Sequence, residues 1–296
     1  MEYSIVAPVC SMDEIAPVLK AGANEVYFGI MTDDWVEKYG NADFITRRQS
    51  ESSHFSTYDD LSEIVCRVNE HHGRATLALN SRYSQHQLPY IFEILEQWEA
   101  RGGHSVMVSD VEILIWLNNR RSILKKQLSV MAGVFNSRSV AFFDRFQISR
   151  IVLPREMSIS EMENLIENAE NEMEYEVIVM FQKCQFIDSF CNFYHPCFEK
   201  HGCQMEFLCN GKKVKHIDNQ DFFTPFCAAC SLNYLLKAGI LHFKIAGRGY
   251  PVELIINAVK FIRQAVETES ILPSDIKRLY QSAFGNDCRP KNCFYT

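Results

Sequence analysis

Seven cysteines crowd into one stretch of this sequence: Cys184, Cys191, Cys197, Cys203, Cys209, Cys227 and Cys230, out of 11 in all. From Cys191 to Cys209 they recur at every sixth residue. Thiols at that density can ligate a metal ion or an iron–sulfur cluster, pair as disulfides, or pack as small apolar side chains. The opening Met-Glu-Tyr-Ser runs straight into an apolar segment without the basic region and long apolar core of a secretory signal, so a cytoplasmic, reducing location is expected. There, clustered thiols read first as metal or iron–sulfur ligands.

A 4Fe-4S cluster suits thiolates that arrive from separate turns of one long loop. Zinc is the alternative, with His195 or His201 as partners, but the chain has a single CxxC knuckle, Cys227 to Cys230, where zinc domains usually have two. Cys288 and Cys293, near the end of the sequence, could reach back as ligands, form a regulatory pair, or pack with Phe294 and Tyr295. Cys10 and Cys66 stand among apolar neighbours and are expected in the core.

A second group of residues could move protons and hold anions: Asn80, Asp110, Arg155, Glu156, Lys244 and Arg248. Each follows or ends an apolar run. Carboxylates so placed could handle protons, and Arg155, Lys244 and Arg248 could clamp an acidic co-substrate such as a dicarboxylate. Arg47 and Arg48, in a long polar loop, could close over it. The plainer reading is that several of these groups satisfy one another as ion pairs.

The elements that must position these groups alternate between two kinds. Short apolar or β-branched runs occupy residues 4–8, 25–29, 75–80, 105–110, 127–132, 150–154, 176–181 and 241–245. Between them lie stretches of helical period at 12–21, 58–72, 87–101, 111–119, 137–146, 159–170, 231–238 and 251–267. Eight of each predict a (β/α)8 TIM-barrel-like α/β fold. An open doubly wound sheet uses the same alternation, but no glycine-rich phosphate loop follows the first run. In a barrel, chemistry collects at the carboxyl ends of the strands, and Cys184 comes three residues after the seventh run.

The expected organisation is one barrel over 1–270, including a cysteine-rich insertion at 182–230, with a tail at 271–296. Residues 33–57 read as a functional polar loop. With 30 Lys and Arg against 37 Asp and Glu, the net charge of −7 offers no general field for nucleic acid. No run approaches the roughly 20 apolar residues needed to cross a bilayer, so no transmembrane segment is expected.

Taken together, IVAPV with AGANEVYFG, TLALN, VMVSD, RIVLPREMS, the Cys184–Cys191 pair and AGILHFKIAGRGYP resemble the collagenase-like peptidase family U-32 in order and spacing. The resemblance spans residues 4 to 251. It implies a 4Fe-4S cluster held by four cysteines, which by position are Cys184, Cys191 and Cys227, with Cys203 as the third ligand and Cys197 or Cys209 as its substitutes. It also implies oxygen-independent hydroxylation with prephenate as donor, acting on a quinone precursor or an RNA base, and, among short members, a heterodimer with a related subunit. A non-catalytic, cluster-bearing partner subunit is a further reading.

Two departures stand out. Ala246 occupies a position where the family often has an acidic residue, and Met131-Ala132-Gly133-Val134 replaces its usual Ser/Thr-Gln. Both suggest a different substrate or lost chemistry. Proteolysis, named in the family title, finds no GxSxG elbow and no HExxH helix here.

Overall fold

The computed structural model describes residues 3–40, 45–48, 50–170, 172–184, 186–191, 208–213, 225–268 and 271–295. Eight parallel strands close a barrel: β1 Ser4–Pro8, β2 Glu25–Phe28, β3 Arg74–Leu79, β4 Ser105–Val108, β5 Lys125–Leu128, β6 Ile148–Val152, β7 Glu174–Phe181 and β8 His242–Ile245. Each pairs with its sequence neighbour up to β6–β7. After that β7 pairs with β8, and β8 returns to β1 through Ser4↔His242 and Val6↔Lys244. The fold is therefore the (β/α)8 barrel that the alternation predicts.

The helices are α1 Met12–Lys20, α2 Asp33–Tyr39, α3 Tyr58–Glu70, α4 Leu88–Ala100, α5 Val111–Asn119, α6 Ser137–Asp144, α7 Ile159–Glu167, α8 Leu232–Lys237, α9 Val252–Glu267 and α10 Pro273–Phe284. Local chemistry sets their ends. Thr57 and Asp60 form a reciprocal capping box at α3, and Ser158 with Glu161 does the same at α7. In α3, Leu61, Ile64 and Val68 line one stripe and are buried against the barrel.

Three expectations change. The fifth strand ends at Leu128, before the expected boundary, because Ser129 turns the chain by accepting from the Met131 amide and opening a 3-10 turn over Val130–Ala132. The polar loop at 33–57 contains α2, which buries Trp35. Cys66 is exposed on α3, with its thiol 3.7 Å from Glu70, and is no core residue. The segment from 271 begins with α10, which packs on α9 through Tyr280 and Phe284 against Phe261, at ring distances of 5.9 and 5.5 Å.

Charge runs through the middle of the barrel. Glu25 accepts from Thr76, from Gln127 at 3.0 Å and from Arg150 at 2.9 Å. Arg150 also reaches Glu176 at 3.1 Å, and Lys244 reaches the other oxygen of Glu176 at 2.8 Å. Two buried anions thus meet two buried cations. Burial alone would raise the Glu25 carboxyl, but Arg150 and the hydrogen bonds from Gln127 and Thr76 outweigh it and hold the group down at about 2.

Candidate functional site

At the carboxyl ends of the strands the barrel opens into a cavity of about 110 Å³. That exceeds the space of a single water several times over. Five cationic side chains line it, Arg47, Arg48, Arg155, Lys244 and Arg248, together with one carboxylate, Asp188. Tyr27, Asn80, Ser129 and Gln182 complete the polar part of the wall, and Met107, Val152 and Ile178 the apolar floor.

Each cation is held in place. Lys244, at the top of the charged axis, also faces the Tyr27 ring at 4.0 Å. Its pKa is lowered, chiefly by burial, against the raising effect of Glu176. Arg248 donates to the Thr46 hydroxyl at 3.0 Å, and that hydroxyl lies 2.8 Å from Nε2 of His54. Nδ1 of His54 is 2.9 Å from the Ser50 carbonyl, so the ring donates there and accepts from Thr46. Burial, with the nearby charge of Arg248, pushes the imidazole down to about 3, which keeps it neutral. Arg48 donates to the Gln182 side chain at 3.1 Å, and the Arg47 amide donates to Asn80 at 3.1 Å.

The chain leaves β7 through Phe181, whose backbone takes the left-handed conformation at φ 73°. An aromatic residue adopts it only where its surroundings compel it. Here Phe181 is 2% exposed, packs edge-on against Tyr250 at 5.4 Å, and pairs with Phe226 in the short antiparallel strand Phe226–Cys227. The turn sends residues 182–184 and 186–191 across the mouth.

Arginines from three other parts of the chain fasten that segment. Arg155 grips Asp188 with two parallel contacts, Nε to Oδ2 at 2.8 Å and Nη2 to Oδ1, and also reaches the Gln182 carbonyl. Arg47 donates to the Cys191 carbonyl at 2.6 Å, and Arg82 donates to that of Ser189. Gly133 supplies the room: a side chain there would meet the Ser189 oxygen at 2.7 Å. The departure at Met131-Ala132-Gly133-Val134 therefore makes space for the segment that forms one wall of the mouth.

Of the six proton-moving and anion-holding candidates, Asn80, Arg155, Lys244 and Arg248 line the cavity. Asp110 does not. Its carboxylate caps α5 by accepting from the Glu112 amide at 3.0 Å and reaches the Tyr83 amide at 3.4 Å, a structural role. Glu156 also stands off the cavity and accepts from the Asp188 amide at 3.2 Å. Its pKa is raised, first by burial and then by Asp188. Ala246, in the position of the missing acid, is itself part of the wall.

Among the expected cluster ligands, Cys184 and Cys191 lie on the segment over the mouth, while Cys203 and Cys197 fall outside the described residues. Cys184 sits with Glu156 and Asp188, their ligand atoms all within 4.8 Å of one another. Burial, reinforced by Asp188, pushes its thiol up to about 12. Cys227 pairs with Met180 at the end of β7. The charged neighbours that raise its thiol beyond the effect of burial are Cys288, Cys230 and Cys293. Cys209 is exposed on the two-residue strand Leu208–Cys209, which pairs with Lys212–Lys213. Sequence reasoning missed Tyr27, Gln182 and Asp188. For Asp188 a signal existed, an acidic residue inside the insertion between two thiols.

The closed parallel barrel, with a cation-rich mouth at its strand ends, is a (β/α)8 TIM-barrel-like α/β fold. The sequence model of peptidase family U32 matches residues 10–281, and the chain belongs to that family. A collagenase of Porphyromonas gingivalis is 21% identical over 90% of this chain, which spans 66% of that protein's length. Among solved structures, the U32 peptidase Mk0906 matches 60% of this chain and 69% of its own at 14% identity, with a TM-score of 0.44. A dihydrodipicolinate-synthetase-like protein of Pseudomonas aeruginosa matches 96% of this chain and 82% of its own at 8% identity and a TM-score of 0.50, a likeness of fold alone. Among the described residues no helix is long and apolar enough to cross a membrane.

Proposed function

We propose that this chain is an enzyme that takes a carboxylate-bearing small molecule into the barrel mouth, with Arg248, Arg48 and Lys244 receiving its charge and Tyr27 and Asn80 orienting it. The observation that carries this reading is the set of five cationic side chains facing one carboxylate around the cavity. Guanidinium groups fixed in advance by Thr46, Gln182 and Asp188 bind an anion without having to be ordered on its arrival.

The finer form of the proposal is oxygen-independent hydroxylation, with prephenate as the anionic donor. Two contacts support it: the Cys184 sulfur lies within 4.8 Å of Asp188, which lines the cavity, and the Cys191 carbonyl accepts from Arg47, which lines it too. A 4Fe-4S cluster, when bound, supplies electron transfer. The protein's own groups bind and orient the anion and keep the neutral His54 behind Arg248. Peptide hydrolysis, the activity in the name of the Porphyromonas protein, would need an activated nucleophile, and the Cys184 thiol is shifted in the opposite direction.

Calorimetric titration with prephenate under anaerobic conditions tests the anion site. Saturable binding that weakens at least about 10-fold in Arg248→Met is expected, since a charged hydrogen bond is worth about 1.5–3 kcal/mol. Absence of binding, or equal binding by the variant, refutes it.

A further inference from the structure

Four of the five cationic side chains around the cavity are arginines, and the fifth, Lys244, is a lysine. The difference is chemical: a guanidinium stays protonated, whereas a buried lysine can give up its proton and act as a nucleophile. Lys244 lies on β8 and is 5% exposed. Its ammonium is 3.7 Å from the Met107 sulfur, faces the Tyr27 ring at 4.0 Å, and has Glu176 as its ion-pair partner at 2.8 Å.

Neutralising Glu176 does not by itself call for a lysine here. Arg150 already does so and touches three carboxylates, Glu25 at 2.9 Å, Glu174 at 2.9 Å and Glu176 at 3.1 Å. An ammonium set between a thioether and an aromatic face has instead exchanged most of its water for one carboxylate. Burial lowers its pKa, against the raising effect of Glu176.

Groups that can hold a carboxylate stand beside it. Arg248 comes four residues after Lys244, between Gly247 and Gly249, whose φ angles of 108° and 83° turn the chain. Its guanidinium faces the same Tyr27 ring at 5.9 Å. Gly29 leaves the room, because a side chain there would meet Arg248 and His54. Arg48 lines the same cavity and lies over the Tyr250 ring at 5.9 Å.

We propose that Lys244 is a catalytic nucleophile that forms an imine with the carbonyl carbon of a 2-oxo acid, whose carboxylate is held by Arg248 and Arg48. This assignment rests on the anion reading above and narrows its ligand to acids with a carbonyl next to the carboxylate. The Lys244 ammonium first passes a proton to Glu176, and the freed electron pair attacks the carbonyl carbon. As the C–N bond forms, the carbonyl π bond opens and a second proton moves from nitrogen to oxygen. Glu176 then returns its proton, the C–O bond breaks, and the oxygen leaves as water. The product is a protonated imine facing the Glu176 carboxylate, so the ion pair of the resting protein is restored. The condensation is redox-neutral and needs no further reactant.

Reductive trapping of the full chain tests this. The protein is incubated with pyruvate as the probe and sodium cyanoborohydride as the hydride source, then digested and mapped by mass spectrometry. One adduct per chain is expected, on Lys244, with the mass of pyruvic acid less one oxygen. Lys244→Arg, which keeps a cation beside Glu176, should lose the adduct with unchanged circular dichroism. Arg248→Met should need at least about 10-fold more pyruvate for the same yield, in line with the loss of a charged hydrogen bond. Mapping the unmodified sequence does not depend on either variant folding. No adduct, an adduct spread over surface lysines, or the same yield in Lys244→Arg overturns the proposal. Calorimetric titration with pyruvate separates the two readings. Binding that weakens in Arg248→Met without any adduct leaves the anion site standing and removes the nucleophile, whereas absence of both pyruvate and prephenate binding removes both.

Discussion

The ammonium of Lys244 lies 2.8 Å from the carboxylate of Glu176, and this pair joins the charged axis of the barrel to the floor of the cavity. Replacing Lys244 by Met removes one of the two cations that Glu176 faces and leaves it to Arg150. Breaking a buried pair in this one-sided way costs about 3–5 kcal/mol. The remaining contact with Arg150 places the expected loss near the lower figure. Urea denaturation should show it, and a loss below about 1 kcal/mol would mean that the pair adds little to stability.

Asp188 raises the Cys184 thiol after burial has already done so. Asp188→Asn removes that carboxylate but leaves Arg155, whose charge acts the other way. The thiol pKa should fall from about 12, and alkylation of Cys184 at neutral pH, followed by mass spectrometry, should speed up by about 3-fold for each unit of fall, the gain in thiolate being partly offset by its lower nucleophilicity. Unchanged alkylation would show that Asp188 does not govern this thiol.

His54 ties the loop bearing Arg47 and Arg48 to Arg248 through Thr46. Its folded pKa, about 3, lies below the ordinary value of 6.5 because burial and Arg248 disfavour the cation. The folded state therefore binds a proton less readily than the unfolded one. The stabilisation is complete above pH 6.5 and drains away as pH falls towards 3. Hydrogen exchange of residues 45–48 and 50–56 should accelerate relative to the barrel strands across that window, and protection that follows the strands throughout would refute the linkage.

Barrel architecture was open to sequence reading because strands buried on both faces are continuous apolar runs, and α3 and α9 carry unbroken helical stripes. The inward-facing charges were harder to interpret. Lys244 and Arg248 ended the right strands, but nothing in the order of residues says that Glu176 answers Lys244 from another strand. Asp110 looked like a proton carrier because capping aspartates and catalytic ones occupy the same place at a strand's end. α2 was hidden in a polar stretch although Thr32, Asp33 and Asp34 carry the chemistry of a helix start. The meeting of Cys227 with Cys293 depends on a chain return across 66 positions, which local pattern does not encode.

A barrel with ions along its axis has only one way to close. Sliding a strand by a single residue would turn Glu25, Arg150, Glu176 or Lys244 outward against the apolar backs of the helices and bring a Val or Ile into the ionic row. The same salt bridges that support the mouth therefore proofread the assembly of the cylinder, rejecting misaligned closures that an all-aliphatic interior would tolerate.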